Sequence, residues 1–348
     1  MSFLNARKSV VATTLFLCLF VIGCGGARTP AEDTVAFEGG IMGTIYHISL
    51  VATLSDELAT STAALIETTL KRVDGKMSTY KDDSELSELN TSPAAVPVTL
   101  SEETFSVLKL ALEVNKQTDG AFDITVGPLV NAWGFGPDAF LNPPTEDVLA
   151  TLHALVGPDK ITLDESNHAV TKLADGVYCD LSGIAKGYAV DAVAQALSAE
   201  GLDRFMVEVG GEVRTSGLNS AGVPWNIAIE KPVSEGRVLQ EIVGLRDIAL
   251  ATSGDYRNFY EVDGKRVAHT IDPVTSKPVA HSAASVSVLH PQCALADAYA
   301  TAMMVLGPEK GLAIAERLQL PVMFLLHGED GSITTRQTES FKDYVVVR

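Results

Sequence analysis

The stretch from Cys179 to Asp191, CDLSGIAKGYAVD, constrains the fold most, because an apolar run stops there at a carboxylate and a helix begins. The apolar residues behind it recur at helical spacing: Val190, Val193, Ala194 and Leu197. First-turn amides of a helix lack partners within the helix, so this turn predicts an anion site. Gly183 allows a close approach of ligand to backbone, Ser182 can donate hydrogen bonds and Lys186 adds positive charge, as a diphosphate requires. The alternative is a capped helix with a surface lysine.

Composition and charge exclude one large class of function. The chain has 348 residues, of which 46% are hydrophobic, so it can bury a substantial core in one or two domains. Its formal charge of −18 disfavours broad binding to a polyanion, and nucleic acid is not an expected partner. Any anionic ligand must be held locally by a few donors.

Residues 1–23 are predicted to be a lipoprotein signal peptide. Arg7 and Lys8 precede an uncharged apolar run over residues 10–22, which is too short for a comfortable mature membrane span. The run ends in VIGC, which resembles a bacterial lipobox with Cys24 as the lipidated residue. An ordinary secretory signal with a chance cysteine is the alternative, and either one takes the protein out of the cytoplasm.

The location follows from this reading. We expect an extracytoplasmic protein, lipid-anchored to a bacterial membrane and facing the periplasm, with the inner membrane favoured. Gly25 stands where an Asp would indicate inner-membrane retention in some bacteria, so inner and outer membrane stay open. Residues 24–38 are small, polar and contain Pro, and they are predicted to be a tether to a domain over residues 39–348.

Cysteine and histidine usage argues against a structural metal. Signal removal and lipidation of Cys24 leave Cys179 and Cys293, which we expect to be unpaired buried thiols, although a disulfide stays open. The seven histidines form no His-x-x-x-His group and no Cys-x-x-Cys pair is present, so zinc is not expected.

The element pattern predicts an α+β fold with antiparallel sheets and packed helices. Alternating runs interrupted by glycines, such as residues 205–213, indicate hairpins, and a second hairpin is predicted to turn at Asp263-Gly264. Helical periodicity is found over 55–73 and after Ser101. Long helices separate these local pairings, which is not the pattern of a parallel sheet.

Two further groups of residues indicate a ligand site. Asp297 and Thr301, four apart on a predicted helix over 294–306, present two oxygens on one face, which suits Mg²⁺; the alternative is a polar helix flank. Trp133 and Phe135 lie among glycines and are predicted to wall a pocket. Tyr80, in a polar hydroxyl-rich segment, is either packed on its own backbone or a stacking platform for a flat heterocycle.

Eight segments taken in order resemble the ApbE family of FAD:protein FMN transferases, roughly from residue 39 to the C-terminus. They are MGT at 42, MSTY at 77, GAFD at 120, DLSGIAKGYAVD at 180, VGGE at 209, ATSGDYR at 251, HTIDP at 269 and ADAYAT at 296. The resemblance implies a T-fold-like α+β domain that takes FAD as substrate and uses Mg²⁺. It also implies transfer of FMN to a Thr or Ser of an acceptor protein, typically a subunit of a membrane redox complex, with release of AMP.

The resemblance also implies a set of site residues. FAD would be contacted by Met42, Tyr80, Ala121, Phe122, Asp123, Asp180, Ser182, Gly183, Lys186, Glu208 and Ile271. The metal would be held by the Ala185 carbonyl, Asp297 and Thr301.

Catalysis would then rest on Asp297, through the metal, and on a base. His269 lies beside a hydroxyl residue and a turn, and an imidazole titrates near neutral pH. We therefore expect His269 to be the base that takes the proton from the hydroxyl group of the acceptor protein. A hydrogen bond from His269 to flavin or phosphate is the alternative role. Two other functions stay open: an FAD pyrophosphatase, in which water attacks, and a lipoprotein that only binds FAD.

Overall fold

The computed structural model describes residues 33–137, 143–232, 238–254, 259–262, 265–328 and 330–346. The predicted signal peptide, Cys24 and the Asp263-Gly264 turn lie outside these ranges. The strands are β1 Thr34–Ile41, β2 Thr44–Val51, β3 Pro97–Thr99, β4 Ile161–Asp164, β5 Ala169–Lys172, β6 Phe205–Val209, β7 Glu212–Ser216, β8 Trp225–Lys231, β9 Val238–Leu245, β10 Ala249–Gly254, β11 Phe259–Val262, β12 Lys265–Ala268, β13 Ile271–Asp272, β14 Lys277–Pro278, β15 Ala283–His290, β16 Val322–His327 and β17 Ile333–Gln337. The α-helices are α1 Asp56–Met77, α2 Glu85–Thr91, α3 Glu102–Gln117, α4 Gly127–Ala132, α5 Glu146–His153, α6 Ala185–Ala199 and α7 Cys293–Leu318.

An eight-stranded sheet forms the centre of the fold, in the order β1-β2-β6-β7-β10-β15-β16-β17. Every neighbouring pair in it is antiparallel. The strands β11–β12, β13–β14, β8–β9 and β3-β5-β4 form small separate sheets. The α+β prediction with antiparallel sheets and packed helices is confirmed.

Both faces of the sheet are covered at β10 and β15. On one face, Ala251 and Val288 belong to a core that includes residues of α1, α3, α6 and α7. On the opposite face, Leu250 and Leu289 pack with β8, β9 and Phe341. Because side chains alternate between the two covered faces, β15 is buried over seven consecutive residues, Ser285 and Ser287 included.

The folded domain begins earlier than the sequence predicts. Strand β1 starts at Thr34 and pairs along its whole length with β2, so residues 34–38 of the expected tether lie in the sheet. Gly39 lies within β1, opposite Tyr46 of β2. An added Cβ at Gly39 would stand 2.7 Å from the Tyr46 ring, so the ring needs a glycine there. The turn is Met42-Gly43, with φ of 50° and 70°, as a two-residue hairpin between twisted strands requires.

Several predicted helices are confirmed with adjusted ends. Ser55 caps α1 by accepting the Leu58 N–H, and Ser101 caps α3 by accepting the Thr104 N–H. Helix α1 continues four residues past the predicted end at 73. No helix in the described ranges is both long and apolar enough to cross a membrane. Cys179 and Cys293 are buried and unpaired, and burial raises the pKa of the Cys179 thiol to about 12.

Helix α7 continues past the predicted end at 306 through a kink. Gly307 has φ of 72°, and Pro308 has no N–H to donate to the Met304 carbonyl one turn earlier. His281 replaces that donor, with Nε2 2.7 Å from the Met304 oxygen. Its Nδ1 accepts the Ala283 N–H at 3.3 Å, which leaves Nε2 as the protonated nitrogen. The kink therefore has a dedicated side-chain donor.

Replacing His281 by Ala should lower the free energy of unfolding by about 1–3 kcal/mol, because the buried Met304 carbonyl loses the His281 donor. Urea denaturation measures the change. His327→Ala, at an exposed position at the end of β16, is the control and should stay within about 0.5 kcal/mol of wild type. Equal effects of the two substitutions would contradict this role for His281.

Candidate functional site

Helices α6 and α7 cross where the sequence predicted an anion site and a cation site. An added Cβ at Gly187 would lie 2.3 Å from the Cys293 carbonyl oxygen, so only glycine permits this approach. The Gly187 N–H donates to Asp297 Oδ2 at 3.0 Å. The two predicted sites are therefore one site, joined by this backbone hydrogen bond.

A second contact between these helices fixes the start of α7. The Asp191 carboxylate accepts the N–H groups of Cys293 at 3.0 Å and Ala294 at 2.9 Å. Arg214 pairs with the same carboxylate. Gln292, at the N-cap position, provides no side-chain cap, so the cap comes from α6. Asp297 and Thr301 lie on the turns that this contact positions.

The cation-site residues lie beside the glycine-containing turn. An added Cβ at Gly183 would stand 3.0 Å from Thr301 Oγ1 and 3.0 Å from the Phe122 ring. Ser253 Oγ, at the end of β10, lies 3.4 Å from Thr301 Oγ1. Asp297 is only 3% exposed. A carboxylate and two hydroxyl groups are oxygen donors of the kind that Mg²⁺ prefers.

Lys186 is not a simple surface lysine. Its Nζ lies 3.6 Å from Asp297 Oδ2 and 3.4 Å from Glu212 Oε1, and both carboxylates are buried. Burial by itself would lower the pKa of Lys186, but the Asp297 and Glu212 carboxylates raise it above the usual value. Burial raises the pKa of Glu212, against the opposing effect of Lys186. Lys186 is therefore held between two buried carboxyl groups, one from α7 and one from β7.

The residues fit a magnesium ion in donor type. Asp297, Thr301 and Ser253 would supply oxygen ligands, and the Asp297 carboxylate would supply negative charge. Within the described ranges no group of three or more His, Cys, Asp or Glu side chains could hold a metal, so water or substrate oxygens would complete the shell. Ala185 begins α6 and is buried, and its carbonyl as a ligand stays a prediction.

Most amides of the turn are used within the chain, contrary to the prediction. The Ser182 N–H donates to Asp180 Oδ1 at 2.8 Å, and the Ile184 and Ala185 N–H groups donate to the Leu181 carbonyl. The prediction fails because the chain closes a tight turn before α6 and satisfies these donors itself. Attraction for an anion therefore depends more on Lys186 than on free first-turn amides.

Hydrogen bonds hold the irregular segment that leads into this turn. The Asn90 amide group accepts the Cys179 N–H at 2.7 Å and donates to the Cys179 carbonyl at 2.8 Å. The Asp180 N–H donates to the Ile124 carbonyl at 2.7 Å. The Asn90 side chain thus satisfies both backbone groups of Cys179, as a neighbouring strand would do. Nothing in the local sequence pattern around Asn90 indicates this role.

An aromatic group forms the other half of the candidate site. The rings of Phe135 and Tyr260 have centroids 5.2 Å apart, and the Phe135 ring meets the His269 ring edge-on at 6.3 Å. Tyr80 is 67% exposed and donates from its hydroxyl to the Phe135 carbonyl at 3.3 Å. Burial of part of the ring and the nearby Asp180 carboxylate raise the pKa of Tyr80. Asp180 therefore links the aromatic half to the turn before α6.

Trp133 and Ile271 complete this aromatic half. Trp133 donates from Nε1 to the Ser276 carbonyl at 2.9 Å and accepts the Tyr260 hydroxyl on its own carbonyl. Ile271 is buried with Leu129, and Trp133 packs against the same cluster. The structure thus brings together the predicted residues Tyr80, His269 and Ile271 with the predicted aromatic wall.

Among the remaining predicted contacts, Asp123 and Glu208 are engaged in hydrogen bonds within the fold. Asp123 accepts hydrogen bonds from Thr125 and Asn115, and burial raises its pKa. Ala121 and Phe122 are buried beside it. Glu208 binds His47 Nδ1 and the Gly211 N–H, each at 2.7 Å. Their contacts with FAD stay predictions.

Met42 belongs to the β1–β2 turn, which lies close to Lys186. The adjacent residue Thr44 and the Lys186 stem both approach Gly210, within 3.4 Å of an added Cβ. Glu212, Ser253 and Gly187 were not assigned individual roles from the sequence. Each lies inside a motif segment, but only the three-dimensional contacts distinguish it from its neighbours.

A family model described as the ApbE family matches residues 42–324. The chain belongs to the ApbE family. The match covers every residue of both halves of the site, and the resemblance predicted from the eight segments is confirmed.

Relatives of this ApbE chain carry one shared name. A Vibrio cholerae protein named FAD:protein FMN transferase is 43% identical over 97% of this chain and 99% of its own length. A Haemophilus influenzae protein of the same name is 44% identical over 88% of this chain and 90% of its own.

Solved structures of ApbE proteins share the fold. The flavin transferase ApbE from Vibrio cholerae superimposes with a TM-score of 0.81 at 42% identity, over 90% of this chain and 99% of that one. The apo form of the Pseudomonas stutzeri flavinyl transferase ApbE also gives 0.81, at 35% identity, over 90% of this chain and 97% of its own.

Gly187→Ala should separate α6 from α7, because its methyl group would overlap the Cys293 carbonyl. We expect a loss of about 1–3 kcal/mol in unfolding free energy, measured by urea denaturation. Gly75→Ala is the matched control, since nothing lies within 4 Å of an added Cβ there. That helical substitution should stabilise α1 by up to about 1 kcal/mol. A Gly187→Ala variant with the same unfolding free energy as wild type would contradict the close crossing of the two helices.

Proposed function

We propose that this ApbE protein transfers FMN from FAD to a Thr or Ser hydroxyl of an acceptor protein, with release of AMP. The observation that carries the proposal is the joining of two halves: an aromatic wall suited to a flat ring, and a charged crossing suited to a diphosphate. Asp180, in the turn before α6, lies close enough to Tyr80 to affect its pKa, which places the two halves next to each other. The shared name of the relatives supports this reaction over others that use the same chemical groups.

Binding would divide between the two halves. The isoalloxazine ring would lie against the aromatic group that contains Tyr80 and Phe135. The diphosphate would lie at Gly183, where the absence of a side chain leaves room, with Lys186 donating to its oxygens. Net negative charge on the chain leaves this local positive group as the means of holding an anion.

The reaction exchanges a phosphoanhydride bond of FAD for a phosphoester bond to the acceptor. The acceptor hydroxyl oxygen would form a bond to the phosphorus of the FMN half, and the bond from that phosphorus to the AMP oxygen would break. His269, beside the aromatic wall, would take the hydroxyl proton. Lys186 would offset charge on the phosphate oxygens. Mg²⁺ held by Asp297, Thr301 and the Ala185 carbonyl would supply electrostatic stabilisation of the diphosphate.

The proposal also covers the acceptor protein and the cellular location of this chain. The acceptor would be a subunit of a membrane redox complex, and the chain would be lipid-anchored through Cys24 and face the periplasm, with the inner membrane favoured. The predicted signal and lipobox support this placement. Fractionation of cells that carry wild type or Cys24→Ser tests it, because only the wild type should remain with membranes.

Incubating the purified protein with FAD, Mg²⁺ and a candidate acceptor should increase the acceptor mass by that of FMN. Chelation by EDTA should abolish the increase, and added Mg²⁺ should restore it, because the negative charge of the diphosphate needs a cation in addition to Lys186. Mass spectrometry detects the product. Free FMN with an unmodified acceptor would instead indicate a pyrophosphatase, and intact FAD a binding protein.

Asp297→Ala should abolish FMN transfer, since it removes both a metal ligand and the acceptor for the Gly187 N–H. His269→Ala should lower the transfer rate by about 100-fold or more, as loss of a general base does. Asp147→Asn, an exposed change on α5, should leave the rate unchanged. Product mass measured over time gives the rates. A His269→Ala rate within a fewfold of wild type would refute the base assignment.

A further inference from the structure

Lys186 lies between two buried carboxylates, and the two are not equivalent. Asp297 also accepts the Gly187 N–H and belongs to the proposed cation site. Glu212 accepts from Lys186 through Oε1, while its buried Oε2 is reached by no donor in the described part of the chain. Glu212 is 3% exposed, so Oε2 is an unused acceptor away from bulk water.

A cation at Asp297 would compete with this ammonium. Two positive charges held by one buried carboxylate repel, and repulsion is weakly screened inside a protein. Lys186 would therefore have to leave Asp297 when a divalent cation enters. An ammonium displaced from one acceptor needs another, because a buried unpaired charge is costly.

The surroundings of Lys186 restrict where it can move. Its Cδ lies 3.4 Å from the position of an added Cβ at Gly210, in the tight turn that directly precedes Glu212. The side-chain stem is thus placed against the same hairpin that carries Glu212. The Glu212 carboxylate, which Lys186 already contacts, is therefore an acceptor that can replace Asp297.

We propose that Glu212 is a positioning residue, which retains Lys186 at the site when a divalent cation takes the Asp297 carboxylate. The inference rests on the proposed function for the identity of the cation site. Glu212 itself touches neither the substrate nor the metal in this account. Its role is to keep the ammonium close to the diphosphate and away from the metal ligand.

A simpler alternative is direct attraction between the Glu212 carboxylate and the cation. That effect would be the same with or without Lys186. Retention of Lys186 by Glu212 instead makes the two residues energetically coupled, and a double-mutant cycle separates the two explanations.

The experiment measures Mn²⁺ binding to the purified full chain without flavin, by electron paramagnetic resonance. The variants are Glu212→Gln, Lys186→Met and the double substitution. We expect Glu212→Gln to weaken Mn²⁺ binding at least about tenfold more when Lys186 is present than when Met replaces it. Weakening that agrees within about twofold in the two backgrounds would overturn the proposal.

Controls separate this outcome from failure of the cation site. Glu309→Gln makes the same chemical change at an exposed pair with Arg336 and should leave Mn²⁺ affinity unchanged. Asp297→Ala should abolish binding in every background. Mn²⁺ binding that survives Asp297→Ala would refute the proposed cation site, whereas equal Glu212 effects with binding intact would refute only the role of Glu212.

A measurement on the wild type covers the case in which Lys186→Met does not fold. The side-chain ammonium of Lys186 is followed by nuclear magnetic resonance during Mg²⁺ addition. Retention by Glu212 predicts a shifted signal that stays protected from water exchange. Loss of that signal to rapid exchange, with Mg²⁺ bound, would overturn the proposal.

Discussion

The hydrogen bond from the Gly187 amide to Asp297 is the interaction on which the site depends. It exists because Gly187 has no side chain and α7 approaches α6 to the distance of a backbone contact. Asp191 strengthens the same crossing by capping α7 from α6. These contacts place a buried carboxylate, a threonine hydroxyl and a lysine ammonium together, although more than one hundred residues separate Lys186 from Asp297.

The central sheet supplies the surface on which this crossing is held. Near the end of strand β10, Ser253 lies beside Thr301, and at the start of β7, Glu212 lies beside Lys186. The sheet is antiparallel, so neighbouring strands can begin and end at the same edge, and the site collects polar residues from that edge. The aromatic half comes from irregular segments around Phe135 and His269, outside the central sheet. Rigid elements thus hold the charged groups, and the segments between them provide the aromatic wall.

Local patterns predicted much of this arrangement from the sequence. The helices after Ser55 and Ser101 followed from caps and periodicity, and the i, i+4 spacing placed Asp297 and Thr301 on one face. Burial on both faces hid the remainder, since β16 has no alternation that would identify it as a strand. The continuation of α7 past Pro308 depends on His281, which lies far away along the chain. Glu212 and Asn90 acquire their roles only through tertiary contacts that no local spacing encodes.

The central claim is that one crossing of two helices brings a metal ligand and a diphosphate-binding lysine together. A crystal structure of the protein with FAD and Mg²⁺ tests it most directly. The account predicts the metal on Asp297 and Thr301, the diphosphate against Gly183 and Lys186, and the flavin ring against the Phe135 group. A diphosphate bound elsewhere, with Asp297 and Thr301 directed away from it, would contradict the account.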